Sequence, residues 1–76
     1  MLILYYNPNC PFCHKVLEEA KTLDIEFDLK DITGNGDLVN ELVAKGGKKQ
    51  VPFMVDSDKE VSIYESDDII DYIRNL

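Results

Sequence analysis

Seventy-six residues make one domain, spanning 1–76, with no room for a second hydrophobic core. With 45% hydrophobic residues the chain can bury a core, and 15 acidic against 8 basic side chains leave a net charge of -7, the wrong sign for a protein that grips nucleic-acid phosphates. No apolar run approaches the ~20 residues that cross a bilayer, and Met1–Tyr6, followed at once by Asn7-Pro8, is too short for a signal-peptide core, so a cytoplasmic address with no membrane contact is expected.

Leu2-Ile3-Leu4-Tyr5-Tyr6 is apolar without alternation, as in a strand covered on both faces. Asn7-Pro8-Asn9 ends it. From Pro11 onward Cys13, Val16, Leu17, Ala20 and Leu23 recur at helical spacing opposite Lys15, Glu18, Glu19 and Lys21, and a proline at the first helical position makes Cys10 the expected N-cap. Ile25, Phe27 and Leu29 alternate with charged residues, which predicts a second strand buried on one side or lying at an edge. Two strands joined by a helix pair in parallel through a right-handed crossover.

A second helix carries Leu38, Val39, Leu42 and Val43 on one side and stops at Gly46-Gly47. Val51–Val55 and Val61–Tyr64 are then short strands about Asp56-Ser57-Asp58-Lys59, close enough for an antiparallel hairpin, with Pro52 at the strand start because it has no N–H to donate. Ser66 is the expected N-cap of a last helix with Asp67 and Asp68 in its first turn and Ile69, Ile73 and Leu76 on its buried side, with Ile70 a further candidate. The order is β-α-β-α-β-β-α, an α/β fold.

Cys10 and Cys13 are the only cysteines, too few for a secreted disulfide scaffold. Cys10-Pro11-Phe12-Cys13 falls at the strand-to-helix turn of a βαβ unit, the context in which C-x-x-C reads as a redox motif. A cysteine at a helix N-terminus meets unpaired N–H groups and the positive end of the dipole, which favour the thiolate, so Cys10 is the expected nucleophile. Cys13, one turn inside on the buried side, is the expected resolving thiol. Zinc needs four ligands, and beyond the pair there are only His14 and carboxylates, so no metal is expected. Cys10–His14 also spells the haem-attachment string C-x-x-C-H, but such attachment belongs to exported chains, and strands that fill the core leave no room for a haem.

On Cys10-Pro11-Phe12-Cys13, Val51-Pro52 and Ser66-Asp67-Asp68, in that order, the chain resembles a glutaredoxin of the dithiol type over nearly its whole length. The resemblance implies a thioredoxin-like fold, a mixed four-stranded sheet flanked by three helices, and a cis peptide before Pro52. It implies glutathione as reductant and co-substrate, and disulfide-containing or glutathionylated proteins as partners of a monomer. Cys10 would attack. The backbone of Val51 beside Pro52 would pair with the cysteine portion of glutathione, and the helix start at Ser66 would take the γ-glutamyl carboxylate while Asp67 takes its amino group.

There are departures from the family pattern. Asn7 stands where the family usually has lysine, Gln50 replaces a threonine, and Tyr64-Glu65 replaces Gly-Gly. Lys48 and Lys49 could supply charge for the glycyl carboxylate, or could be a solvated basic pair. Glu65-Ser66 is similar to the glutathione-binding pair in the N-terminal domain of glutathione transferases, although the helical second domain of a whole transferase is not among these residues. The expected activity is reduction of protein disulfides and glutathione mixed disulfides. Two alternatives stay open: a thioredoxin-like electron donor served by a flavoprotein reductase, and an iron-sulfur cluster carrier, against which Cys13 counts.

Overall fold

The apolar run at the N-terminus becomes β1 (Leu2–Tyr6) in a computed structural model that describes all 76 residues. It is followed by α1 (Pro11–Thr22), β2 (Asp28–Asp31), α2 (Gly36–Gly46), β3 (Phe53–Asp56), β4 (Val61–Ile63) and α3 (Ser66–Arg74). The sheet order is β2-β1-β3-β4, with β1 parallel to β2 and antiparallel to β3, and β3 antiparallel to β4. This is the thioredoxin-like arrangement of three helices and a mixed four-stranded sheet.

Alternation along the two central strands divides the core between the sheet's faces. Leu4 and Met54, paired across β1 and β3, join Val16 and Ala20 of α1 and Ile69, Ile70 and Ile73 of α3 on one face. Tyr5 and Phe53, the next pair, turn to the other face and pack with Val55, Ile32 and Leu42 of α2. The polar tips on that face are satisfied rather than exposed. Tyr5 donates its hydroxyl to Glu41 Oε1 at 2.8 Å, and Lys30 Nζ donates to the same oxygen at 3.0 Å. Both hydrogen bonds, Lys30 foremost, hold the Glu41 carboxyl below its ordinary range, while burial and Glu41 push the Tyr5 phenol up.

Several details differ from the sequence expectation: β3 begins at Phe53, so Val51 and Pro52 precede the strand, and Leu23 at the end of α1 and Val43 on α2 are exposed. The second strand begins at Asp28, so Ile25 and Phe27 reach the core from the loop before it, and Leu29 is left exposed because β2 is the outermost strand. Ser66 is not the N-cap of α3. The carbonyl of Glu65 accepts the first helical bond, from Ile69 N at 2.9 Å, which makes Glu65 the cap and Ser66 the first helical residue. Leu76 is exposed and Ile70 takes its place in the core, because α3 ends at Arg74.

A buried carboxylate closes the β3–β4 turn. Asp56 Oδ1 accepts from the backbone N–H groups of Asp58 and Lys59 at 3.1 and 3.3 Å, and Tyr72 of α3 donates to Oδ2 at 2.5 Å. No helix of the protein is long and apolar enough to cross a membrane.

Candidate active site at the start of the first helix

Cys10 is the N-cap of α1, in extended conformation with φ -89° and ψ 117°, and Pro11 follows at the first helical position. Proline there removes one N–H that would have no helical partner. The turn is held from both sides: Cys10 N donates to the Asn7 carbonyl at 3.0 Å, and His14 N donates to the Cys10 carbonyl at 3.1 Å. The side chain completes the cap, with Cys13 N donating to Cys10 Sγ at 3.4 Å. A backbone N–H from the first turn of the helix thus points at the sulfur.

The two thiols are free and unequal. Cys10 is half-buried, whereas Cys13 is fully enclosed under α1 and burial pushes its thiol up to about 12, with Cys10 beside it acting in the same direction. At neutral pH Cys13 is therefore protonated. His14 is exposed and its imidazole contacts the Pro8 carbonyl.

Phe12, 62% exposed, joins the dithiol turn to a groove of about 350 Å³. That size suits a small peptide-like ligand. One side of the groove is Gln50, Val51 and Pro52, and the other is Tyr64, Glu65, Ser66 and Asp67. The Val51-Pro52 peptide is cis. Val51, Pro52, Ser66 and Asp67, four of the positions singled out for glutathione, thus border one groove with Phe12. Lys48 and Lys49 do not. Lys48 Nζ lies 4.8 Å over the Tyr64 ring, and Lys49 borders a separate depression with Asn7 and the start of α2.

Four contacts around the groove lie outside the sequence reading, because each joins residues far apart in the chain. Lys15 Nζ pairs with Asp67 Oδ1 at 2.7 Å, and Gln50 Nε2 donates to Glu65 Oε1 at 3.3 Å. Tyr64 stacks on Phe53 with ring centroids 4.4 Å apart, donates its hydroxyl to the Lys48 carbonyl at 2.6 Å and accepts from Lys48 N at 3.1 Å. Nothing local in the sequence marks these pairs. No three His, Cys, Asp or Glu side chains converge in a way that could hold a metal ion.

The fold and the site together define a thioredoxin-fold domain with a capped C-x-x-C turn beside a groove. The model of the glutathione S-transferase N-terminal domain matches residues 4–76, and the chain belongs to that family. Among solved structures, a delta-class glutathione transferase from Nilaparvata lugens is 26% identical with a TM-score of 0.84, over 100% of this chain and 36% of that one. A thioredoxin-like protein superposes with a TM-score of 0.81 at 22% identity, over 100% of this chain and 97% of that one. A glutaredoxin from Brucella melitensis gives a TM-score of 0.71 at 23% identity, over 97% and 78%. The last two share the fold. The chain spans about a third of the length of the glutathione transferases that it matches. No curated protein sequence matches it.

Proposed function

We propose that the protein is a glutathione-dependent thiol-disulfide oxidoreductase of the glutaredoxin type, acting through Cys10 and Cys13. The observation that carries this reading is the pairing of a half-buried, N-capping Cys10 sulfur with a fully buried Cys13 thiol beside the groove of Val51, Ser66 and Asp67. A glutathione-related family supports the same ligand.

The Cys10 thiolate attacks the glutathione sulfur of a glutathionylated protein. A new S–S bond forms to Cys10 as the old one breaks, and the protein thiolate leaves and takes a proton from solvent. A second glutathione thiolate then attacks the bound glutathione sulfur, releasing glutathione disulfide and regenerating the Cys10 thiolate. With an intramolecular protein disulfide, the Cys10 thiolate attacks one protein sulfur to form a mixed disulfide and releases the other as a thiolate, which takes a proton. Cys13 then loses its proton to solvent and attacks Cys10 Sγ, which frees the reduced protein and leaves a Cys10–Cys13 disulfide for two glutathione molecules to reduce. Bound glutathione pairs its cysteine backbone with Val51 beside Pro52, and its γ-glutamyl carboxylate meets the first N–H groups of α3 at Ser66 and Asp67, an anion position by virtue of the helix dipole. Two carboxylates, Glu65 and Asp67, flank that point, and a carboxylate there takes the ammonium. Neither Lys48, engaged with Tyr64, nor Lys49, beside a separate depression, borders the groove, so no basic side chain is assigned to the glycyl carboxylate. The cytoplasm, where glutathione keeps thiols reduced, suits this chemistry.

The test is turnover of a glutathione mixed disulfide with glutathione, its reductase and NADPH. Cys10-dependent NADPH consumption is the expected result. Reduction by a flavoprotein reductase but not by glutathione would replace this reading with a thioredoxin-type donor. The family match favours a second reading, the glutathione-binding part of a transferase, and conjugation of glutathione to an aryl halide by the Cys10→Ser variant would support it.

A further inference from the structure

The two carboxylates at the α3 end of the groove are not equivalent. Asp67 Oδ1 is 2.7 Å from Lys15 Nζ, so its charge is already answered by an ammonium from α1. Glu65 Oε1 accepts from Gln50 Nε2 at 3.3 Å, and an amide directs a carboxylate without neutralising it. Glu65 is the N-cap residue of α3, yet its side chain makes no hydrogen bond to that helix, unlike Cys10 on α1 and Asn35 on α2. Gln50 directly precedes Val51, so the same stretch of chain that borders the groove on one side reaches across to the carboxylate on the other.

Resting on the glutathione reading above, we propose that Gln50 is a positioning residue: it holds the Glu65 carboxylate away from the α3 N–H groups and presents it to the ammonium of the γ-glutamyl group, while Lys15 withdraws Asp67 from that task. Without Gln50, the positive end of α3 draws Glu65 toward the N–H groups that the ligand carboxylate would occupy. The ligand then loses its ammonium partner and competes for its anion site. With Gln50 in place the two poles of the γ-glutamyl zwitterion meet separate partners.

The experiment varies the mixed disulfide at fixed glutathione and measures directly, by mass spectrometry, the peptide thiol that Cys10 releases from it. A peptide carrying glutathione is compared with the same peptide carrying glutaryl-cysteinylglycine, which lacks only the ammonium. Gln50→Ala is expected to raise KM for the glutathione-bearing peptide about tenfold, the scale of one charge-assisted hydrogen bond, with kcat retained and KM for the deaminated one unchanged. Glu65→Gln should do the same, and the double variant should be no worse than the poorer single one. Matching thermal unfolding curves control for folding. An unchanged KM for the glutathione-bearing peptide in Gln50→Ala, or an equal rise for the deaminated one, overturns the proposal. Wild-type protein that releases no peptide thiol from the mixed disulfide overturns the oxidoreductase reading itself, and this proposal with it.

Discussion

Tyr72 donates its hydroxyl hydrogen to the buried carboxylate of Asp56 at 2.5 Å, tying the last helix to the turn between β3 and β4. The hydrogen bond holds the Asp56 carboxyl below its ordinary range and, in return, raises the Tyr72 phenol. A carboxylate whose folded value is depressed contributes stability that is complete above the unfolded value, about 3.9, and is lost as pH falls through the folded value. The phenol works in the opposite sense, with its contribution complete below about 10 and lost as pH rises through the folded value. Tyr72→Phe should therefore move the acid unfolding midpoint to higher pH and flatten the alkaline limb. Circular dichroism across pH 2 to 12, roughly the span of both groups, would check it, and an unchanged acid midpoint would refute the linkage.

Burial separates the two cysteines chemically as well as spatially. With its thiol pushed up to about 12, Cys13 carries on the order of a thousandfold less thiolate at neutral pH than a free cysteine near 8.5. Iodoacetamide at pH 7, about neutral, should label Cys10 alone in the reduced protein, and mass mapping reads the site directly. Labelling of both residues at similar rates would mean that Cys13 is not held as the structure has it.

The roles assigned to the pair predict a split in activity. Cys13→Ser should keep reduction of glutathione mixed disulfides, within about a factor of a few, and lose efficient reduction of intramolecular protein disulfides, which needs a second thiol to resolve the protein-protein intermediate. Parallel assays on the two substrate types make the comparison. Equal loss of both activities would count against the assignment.

Gly46 tests the aromatic wall of the groove. A methyl group at this position would lie 2.6 Å from Tyr64 Cζ, inside any tolerable contact, while the Tyr64 hydroxyl is anchored to the Lys48 backbone. Gly46→Ala should thus cost about 1 to 3 kcal/mol by overpacking, despite the better helix propensity of alanine. Urea unfolding gives the number. Gly46→Ala combined with Tyr64→Leu should recover part of the loss, and a single variant as stable as wild type would show that the ring swings away freely.

What the sequence by itself determined about this protein is the set of features that depend on near neighbours. Pro11 beside Cys10 specifies a capped helix start, and the unbroken apolar run Leu2–Tyr6 specifies a central strand, because both follow from backbone sterics and hydrophobic periodicity within a few residues. The spacing of Cys10 and Cys13 likewise put one sulfur at the helix end and the other one turn inside. The tertiary structure alone decided which side chains share the groove and how its charges are matched. Lys15 and Asp67 are 52 positions apart and Gln50 and Glu65 are 15 apart, so neither pair has a local signature, and each forms only because α1, the β3 approach and α3 converge at one end of the sheet. Ser66 shows the limit within a single turn: its type suits an N-cap, but the exit from β4 lets the Glu65 carbonyl begin the helix, one residue earlier than composition suggests.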